Sequence, residues 1–411
     1  MVSATAEPGA MTKKILISGA SVAGPSLAYW LHRYGFSATV VERAPGLRGG
    51  GFAVDFRGDV HLRVLREMEL LDEVRRRQTN MGDQVVVDAR GRHLAKLPSA
   101  FMSGDVEIER DELSRLLYDR TQEHTEYLFG DSIASMTESA DGVRVCFEHA
   151  GPRTFDLVLG ADGLHSNVRA LAFGPESRFI RHLGYYVAAF DIPNFLDLDH
   201  TGLMYNEPGL GVSMGSAGGK TDGGFVFPSE PLDYDRRDLD QQKQLVADRC
   251  AGAGWEVPRL LEAMWAAPEM YFDSISQVRM PHFQRGRVAL VGDAGYGATL
   301  GGLGTGTAMV GAYVLAGELA LARGDHRVAF PRYEELMRDY AAGCQKLAEG
   351  AGPFLAPPTK FRIWHRNQMY RLLSWRRLAG IFDKLTTKAA RNITLPDYRP
   401  APRSAAPREP A

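Results

Sequence analysis

Cysteine is scarce in this chain. Cys146, Cys250 and Cys344 are three in 411 residues, far apart and odd in number, which excludes a disulfide framework and a cysteine-ligated metal cluster. Charge of one sign is missing too: 48 Lys and Arg stand against 50 Asp and Glu, so the basic footprint of a nucleic-acid binder is absent. The longest apolar run, Ala308 to Ala322, is broken by Glu318 and is too short to span a bilayer. The first ten residues have neither a basic start nor an apolar core, so no secretory signal is visible. These absences lead to the expectation of a cytoplasmic protein, monomeric or homodimeric, with no nucleic-acid partner, no metal and no membrane association. What is present is ordinary for a globular enzyme: 45% hydrophobic and 24% charged residues, in a chain long enough for two or three structural units.

The pattern predicts an α/β chain, α+β overall. Residues 1–12 read as a disordered tail. Residues 13–85, 105–175 and 281–350 read as one discontinuous Rossmann-like nucleotide domain. Its first unit runs from an apolar strand (Lys13 to Ser18) through a glycine turn to a helix (Pro25 to Tyr34) and a strand (Ser37 to Glu42). One helix is expected from Asp59 to Arg77 and another from Arg110 to His124. Residues 86–104 and 176–280, with short alternating runs between Gly, Pro and Asp, read as an inserted, mostly antiparallel sheet. Residues 354–392 interleave aromatic and basic residues as one or two amphipathic helices, and 393–411 read as a disordered tail.

Three motifs carry chemistry. In Ile15-Leu-Ile-Ser-Gly-Ala-Ser-Val-Ala-Gly24, Gly19 and Gly24 hold the first and third places of a dinucleotide fingerprint, and Ser21 replaces the middle glycine. Val22 and Ala23 complete the turn. Glu42, at the end of the next strand with Arg43 after it, suits the two hydroxyls of an unphosphorylated ribose. The second motif, Asp162-Gly163, ends a buried strand ahead of Ser166 and Arg169. In the third, Gly292-Asp293 ends a strand and a glycine-dense loop leads to a helix, whose N-terminal amides and positive dipole end suit a negatively charged ligand.

In this order and spacing the three motifs resemble the single-component flavoprotein monooxygenases related to para-hydroxybenzoate hydroxylase, a family that includes tetracycline-inactivating and polyketide-tailoring hydroxylases. The resemblance spans roughly residues 13 to 345. It implies FAD held by Gly19, Ser21, Val22, Ala23, Gly24, Glu42, Arg43, Asp162, Gly163, Gly292, Asp293, Gly302, Gly304 and Thr305. An Arg-x-x-Leu arginine, here Arg110, is implied beside the phosphates or ribityl chain. Two positions depart from the family: Tyr296 stands at the usual histidine and Leu300 at the usual proline.

The resemblance further implies NADPH or NADH as a transient co-substrate and O2 as oxidant. One oxygen atom would pass through a flavin C4a-hydroperoxide to a bulky apolar or aromatic small molecule, by hydroxylation or epoxidation. A flavin oxidase or reductase without oxygen insertion, and a non-catalytic FAD-binding regulator, are the alternatives. The substrate is expected between flavin and inserted sheet. Candidate lining residues are Asp55, Phe190, Met204, Tyr205, Met214, Phe225, Phe227, Tyr296 and Leu300, although core packing is the better expectation for any single aromatic. No side chain is singled out as a catalytic acid or base, because the cofactor carries the chemistry.

Overall fold

A computed structural model describes residues 12–49, 52–99, 103–300, 303–373 and 392–398. Two sheets dominate. The first runs in the order Gln284–Arg285, Val288–Leu290, Leu157–Gly160, Lys14–Ser18, Ser37–Glu42, Glu126–Phe129, parallel throughout except for its first pair. Its central strand is apolar on both faces, and Ile15, Leu16 and Ile17 are fully buried, as a strand covered on both sides requires. The helix Ala23–Arg33 packs against the long helix Gly304–Leu321, which is buried almost all round. That packing fixes the glycine turn beside the third motif.

The helix expected from Asp59 to Arg77 is two, Gly58–Glu67 and Leu71–Arg76. Glu69 adopts φ +58° between them, a left-handed conformation that ends the first helix. The expected boundary between residues 85 and 86 falls inside a strand, Gln84–Val87.

The second sheet has the order Tyr271–Val278, Ile180–Asp191, Lys220–Pro228, Leu210–Ala217, Thr201–Glu207, Gln84–Val87, His93–Leu97. One pair, Gln84–Val87 with Thr201–Glu207, is parallel and the rest are antiparallel. Helices Leu239–Cys250 and Val257–Ala266 cover one face and share a core with it. The other face is packed by the helices Ala351–Leu355 and Lys360–Leu373, and meets the nucleotide domain along the strand Tyr271–Val278.

The C-terminal region holds the helix Lys360–Leu373; the rest of the expected helical segment, 374–391, lies outside the described residues, as do 1–11. Residues 393–398 correct the first part of the expected disordered tail, whose remainder, 399–411, lies outside the described residues. Leu395 and Tyr398 are buried against the nucleotide domain. Tyr398 donates to Glu318 Oε1 at 2.6 Å, and Tyr313 donates to the Pro396 carbonyl at 2.8 Å. Two large apolar side chains with a ready partner outweigh the polar, proline-rich composition around them. Among the described residues no helix is long and apolar enough to cross a membrane.

Candidate active site

The glycine turn leaves the first strand at Gly19, whose φ of +106° favours glycine and whose missing side chain lets it pass against Ala161. Gly24 lies so close to Gly19 that a Cβ would overlap the Gly19 carbonyl oxygen. Two hydrogen bonds fix the turn: Gly19 N–H donates to Val41 O at 2.8 Å, and Ala20 N–H donates to Glu42 Oε2 at 2.9 Å. Glu42 Oε1 accepts from Ala44 N–H at 2.9 Å, so this carboxylate stitches the turn to the chain beyond the second strand. Val22, Ala23 and Gly24 are buried, whereas Ser21 and Arg43 are exposed. No side chain caps the helix that follows. Its first amides therefore remain available to an anion beside Ser21.

The second motif is braced from within. Asp162 accepts from Ser18 Oγ at 3.2 Å, from Val168 N–H at 3.0 Å and from the Ser166 hydroxyl. Burial raises its pKa, against the pull of these donors. Gly163 follows at φ +82° with open space where a Cβ would be. The fully buried Arg169 donates to Leu164 O at 2.6 Å and to Ala294 O at 2.9 Å. One guanidinium thus joins the second motif to the third.

Gly292 turns the chain at φ +62° into a short helix, Asp293–Tyr296. Asp293 keeps solvent-accessible surface yet is crowded by protein, which places it on a concave floor. That crowding raises its carboxyl to about 6, against the opposite pull of the Arg110 guanidinium. Gly304 and Thr305 open the long helix, and a Cβ at Gly304 would lie 3.5 Å from Asp293 Oδ1. That helix also starts without a side-chain cap, after Leu303 at φ +57°. Gly302 lies outside the described residues. Asp293, Arg110 and the start of the long helix therefore converge on one place. Their spacing, acceptor and donor types, and uncapped amides fit a ribityl chain and an anionic ring edge.

The expected substrate residues divide by sheet face. Side chains alternate along a strand, and Phe190, Tyr205, Met214, Phe225 and Phe227 all point into the core shared with the two covering helices. These five are corrected to core residues. Met204 lies on the opposite, inward face. Tyr296 is corrected as well: it is buried, meets the Tyr333 hydroxyl at 3.0 Å and packs on Phe283, away from the concave floor. Asp55 is paired with Arg57. Leu300, at φ +58°, packs on the inward side with Phe52, Tyr271 and Leu355.

Sequence reasoning missed Phe52, Tyr271, and the pairing that joins the two sheets. His165, in the loop after Asp162-Gly163, donates from Nδ1 to Glu176 at 3.0 Å and from Nε2 to Asp273 at 2.9 Å. Burial opposes its charge, but the two carboxylates outweigh burial and raise its pKa. The alternating strand pattern held the signal for Tyr271; nothing local distinguished His165.

Comparison with known proteins then decides the family. A family model described as FAD binding domain matches residues 12–351. The chain belongs to the FAD binding domain family. The flavoenzyme is similar to the uncharacterized protein Rv1260 of Mycobacterium tuberculosis (strain ATCC 25618 / H37Rv), 44% identical over 84% of this chain and 95% of that one. It is 39% identical to a flavin-dependent monooxygenase of Legionella longbeachae, over 81% of this chain and 87% of the relative. The crystal structure of tetracycline destructase Tet(55) superposes with a TM-score of 0.80 at 38% identity, covering 94% of this chain and 99% of that one. The protein is an FAD-dependent oxidoreductase of the monooxygenase class, as the three motifs implied.

Proposed function

We propose that this enzyme consumes NADPH or NADH and O2 to place one oxygen atom on a flat, fused-ring polyketide of the tetracycline kind, with water formed from the second oxygen atom. The observation that carries this reading is the concave floor at Asp293, set between the three cofactor motifs and the inward face of the second sheet. The similarity to a tetracycline destructase over nearly the whole chain supports the substrate class. When bound, FAD supplies hydride acceptance and oxygen activation.

The chain's own groups bind, orient and exclude water. The uncapped amides after Ser21 receive the pyrophosphate, and Glu42 faces the ribose. Arg110 and Asp293 hold the ribityl chain. The amides opening the helix at Gly304 stabilise negative charge at the ring edge. Phe52, Leu300 and Leu355 keep water from the space above the inward face.

The test is NADPH oxidation by the FAD-loaded protein in air, with and without tetracycline. Stimulated oxidation with a product heavier by one oxygen atom supports the reading. Oxidation that tetracycline leaves unchanged, with tetracycline recovered intact, contradicts the substrate class.

A further inference from the structure

No cofactor motif contains His61, which sits in the helix Gly58–Glu67 with only 1% of its surface exposed. A buried imidazole needs partners for both of its nitrogens, and here it has them. Arg57 N–H donates to Nδ1 at 3.1 Å, so the ring's proton sits on Nε2, which donates to the Tyr340 hydroxyl at 2.7 Å. Burial, then the Arg57 guanidinium, push the His61 pKa down to about 4, so the ring is neutral at ordinary pH.

This ring lies against the first turn of the long helix. A Cβ at Gly306 would fall about equally close to Cε1, Nδ1 and Nε2 of His61. The imidazole therefore rests face-on against the helix backbone, in the space that a side chain at 306 would need. Gly306 is the third residue of Gly304–Leu321, the helix that starts without a side-chain cap beside Asp293. From another direction Gly292 closes on the same helix, since a Cβ there would lie 2.9 Å from the Ala308 methyl. The third motif thus holds this helix start at Ala308, and His61 holds it at Gly306.

The ring itself is firmly held. Phe56, fully buried, meets it edge to face, with centroids 6.2 Å apart and planes at 88°. Tyr340, on the helix His326–Ala348, is fully buried too, and burial keeps its phenol neutral. Fixed at both nitrogens and against Phe56, the imidazole has one orientation, and the helix start cannot settle closer than its face allows. Helix amides act on a neighbouring charge only within the first turn. The seat of that turn therefore governs how strongly it favours negative charge beside it.

We propose that His61 is a positioning residue for the flavin: clamped between the Arg57 amide and the Tyr340 hydroxyl, it seats the Gly304–Gly306 turn and so sets how far the protein favours the reduced, anionic cofactor over the oxidised one. This assignment rests on the reading that the Gly304 amides face the ring edge. It adds the residue behind those amides that fixes their place.

The experiment measures the two-electron midpoint potential of full-length, FAD-loaded protein by reductive titration against a reference dye, together with oxidised-FAD affinity and melting temperature. Wild type should lie above free FAD, as amides that stabilise the reduced form require. His61→Ala should lower the potential by about 15–30 mV, a roughly 3- to 10-fold loss of preference for the reduced form at about 30 mV per decade. Tyr340→Phe keeps the ring but removes its Nε2–H partner, and should lower the potential by less. Gly306→Ala, whose methyl displaces the ring, should lower it too, and should add nothing further in the His61→Ala background. A merely structural role would reduce melting temperature and weaken both redox forms equally; an unmoved potential in His61→Ala overturns the proposal. Additive losses in the double variant overturn it as well. Should His61→Ala fail to fold, Tyr340→Phe decides: a lowered potential supports the proposal and an unchanged one overturns it. A wild-type potential no higher than that of free FAD refutes the amide reading, and the proposal falls with it. A raised wild-type potential that His61→Ala leaves in place overturns the proposal alone.

Discussion

Gly24→Ala separates a cofactor turn from a mere packing motif. The added methyl would overlap the Gly19 carbonyl oxygen and lie 3.3 Å from Ile17 Cγ2, against backbone that has no rotamer to yield. The turn must open, which puts at risk the Gly19–Val41 and Ala20–Glu42 hydrogen bonds of 2.8 and 2.9 Å. Each is worth about 1 kcal/mol, and the overpacking itself costs about 1–3 kcal/mol. With both bonds lost, destabilisation of about 3–5 kcal/mol follows. Because the same turn positions the uncapped amides after Ser21, the proposed pyrophosphate site, FAD affinity should fall roughly 100-fold, at about 1.4 kcal/mol per decade. Ser21→Trp provides the contrast. Ser21 is exposed, so stability should change by no more than about 0.5 kcal/mol, while the indole covers the phosphate-facing amides and FAD retention is lost. The assays are FAD titration by fluorescence and urea unfolding of the apoprotein. Unchanged FAD affinity in Ser21→Trp, or full stability in Gly24→Ala, would refute the placement of the turn.

Three other outcomes are expected. Phe225→Ala, in the core behind the sheet, should cost about 3–5 kcal/mol of unfolding free energy and leave tetracycline binding per folded molecule unchanged; selective loss of tetracycline binding at full stability would return Phe225 to the pocket. Arg169→Met removes the donor that serves the Leu164 and Ala294 carbonyls, so it should destabilise the protein by about 2–4 kcal/mol and weaken FAD binding. His165→Asn should show a pH-dependent loss of stability. The raised His165 pKa contributes fully below its unfolded value and fades as pH rises through the folded one, while Glu176, held down to about 2 chiefly by the His165 hydrogen bond against burial, contributes above its unfolded value. The difference in melting temperature between wild type and variant should therefore be largest between about pH 5 and 6.5 and shrink in alkali; a difference that grows above pH 8 would contradict this.

The nucleotide domain was legible because its signals are local. The glycine turn, Glu42 at the next strand end, and the two strand-ending Asp motifs each occupy a few consecutive residues, and their sum pointed to a flavin. Face assignment was not legible in the same way. Phe190, Tyr205, Met214, Phe225 and Phe227 lie on strands of alternating pattern, and alternation alone leaves undetermined which face meets which neighbour. The bulky set went to the core shared with Leu239–Cys250 and Val257–Ala266, and the residues between them face the opposite side. Tyr296 was misplaced for a related reason: proximity in sequence to Asp293 does not fix side-chain direction, and a buried hydroxyl partner at Tyr333 drew it inward. The docked Leu395 and Tyr398 show two anchors overriding a loop-like composition.

The proposed insertion of an atom of molecular oxygen into a fused-ring substrate can be followed with isotopic oxygen gas. FAD-loaded protein, NADPH and tetracycline are incubated under 18O2 in ordinary water, and the product is weighed by mass spectrometry. One 18O atom in the product, taken from the gas, is the expected result. Stoichiometric NADPH oxidation with only labelled hydrogen peroxide and unaltered tetracycline, or a product oxygen derived from water, would contradict it.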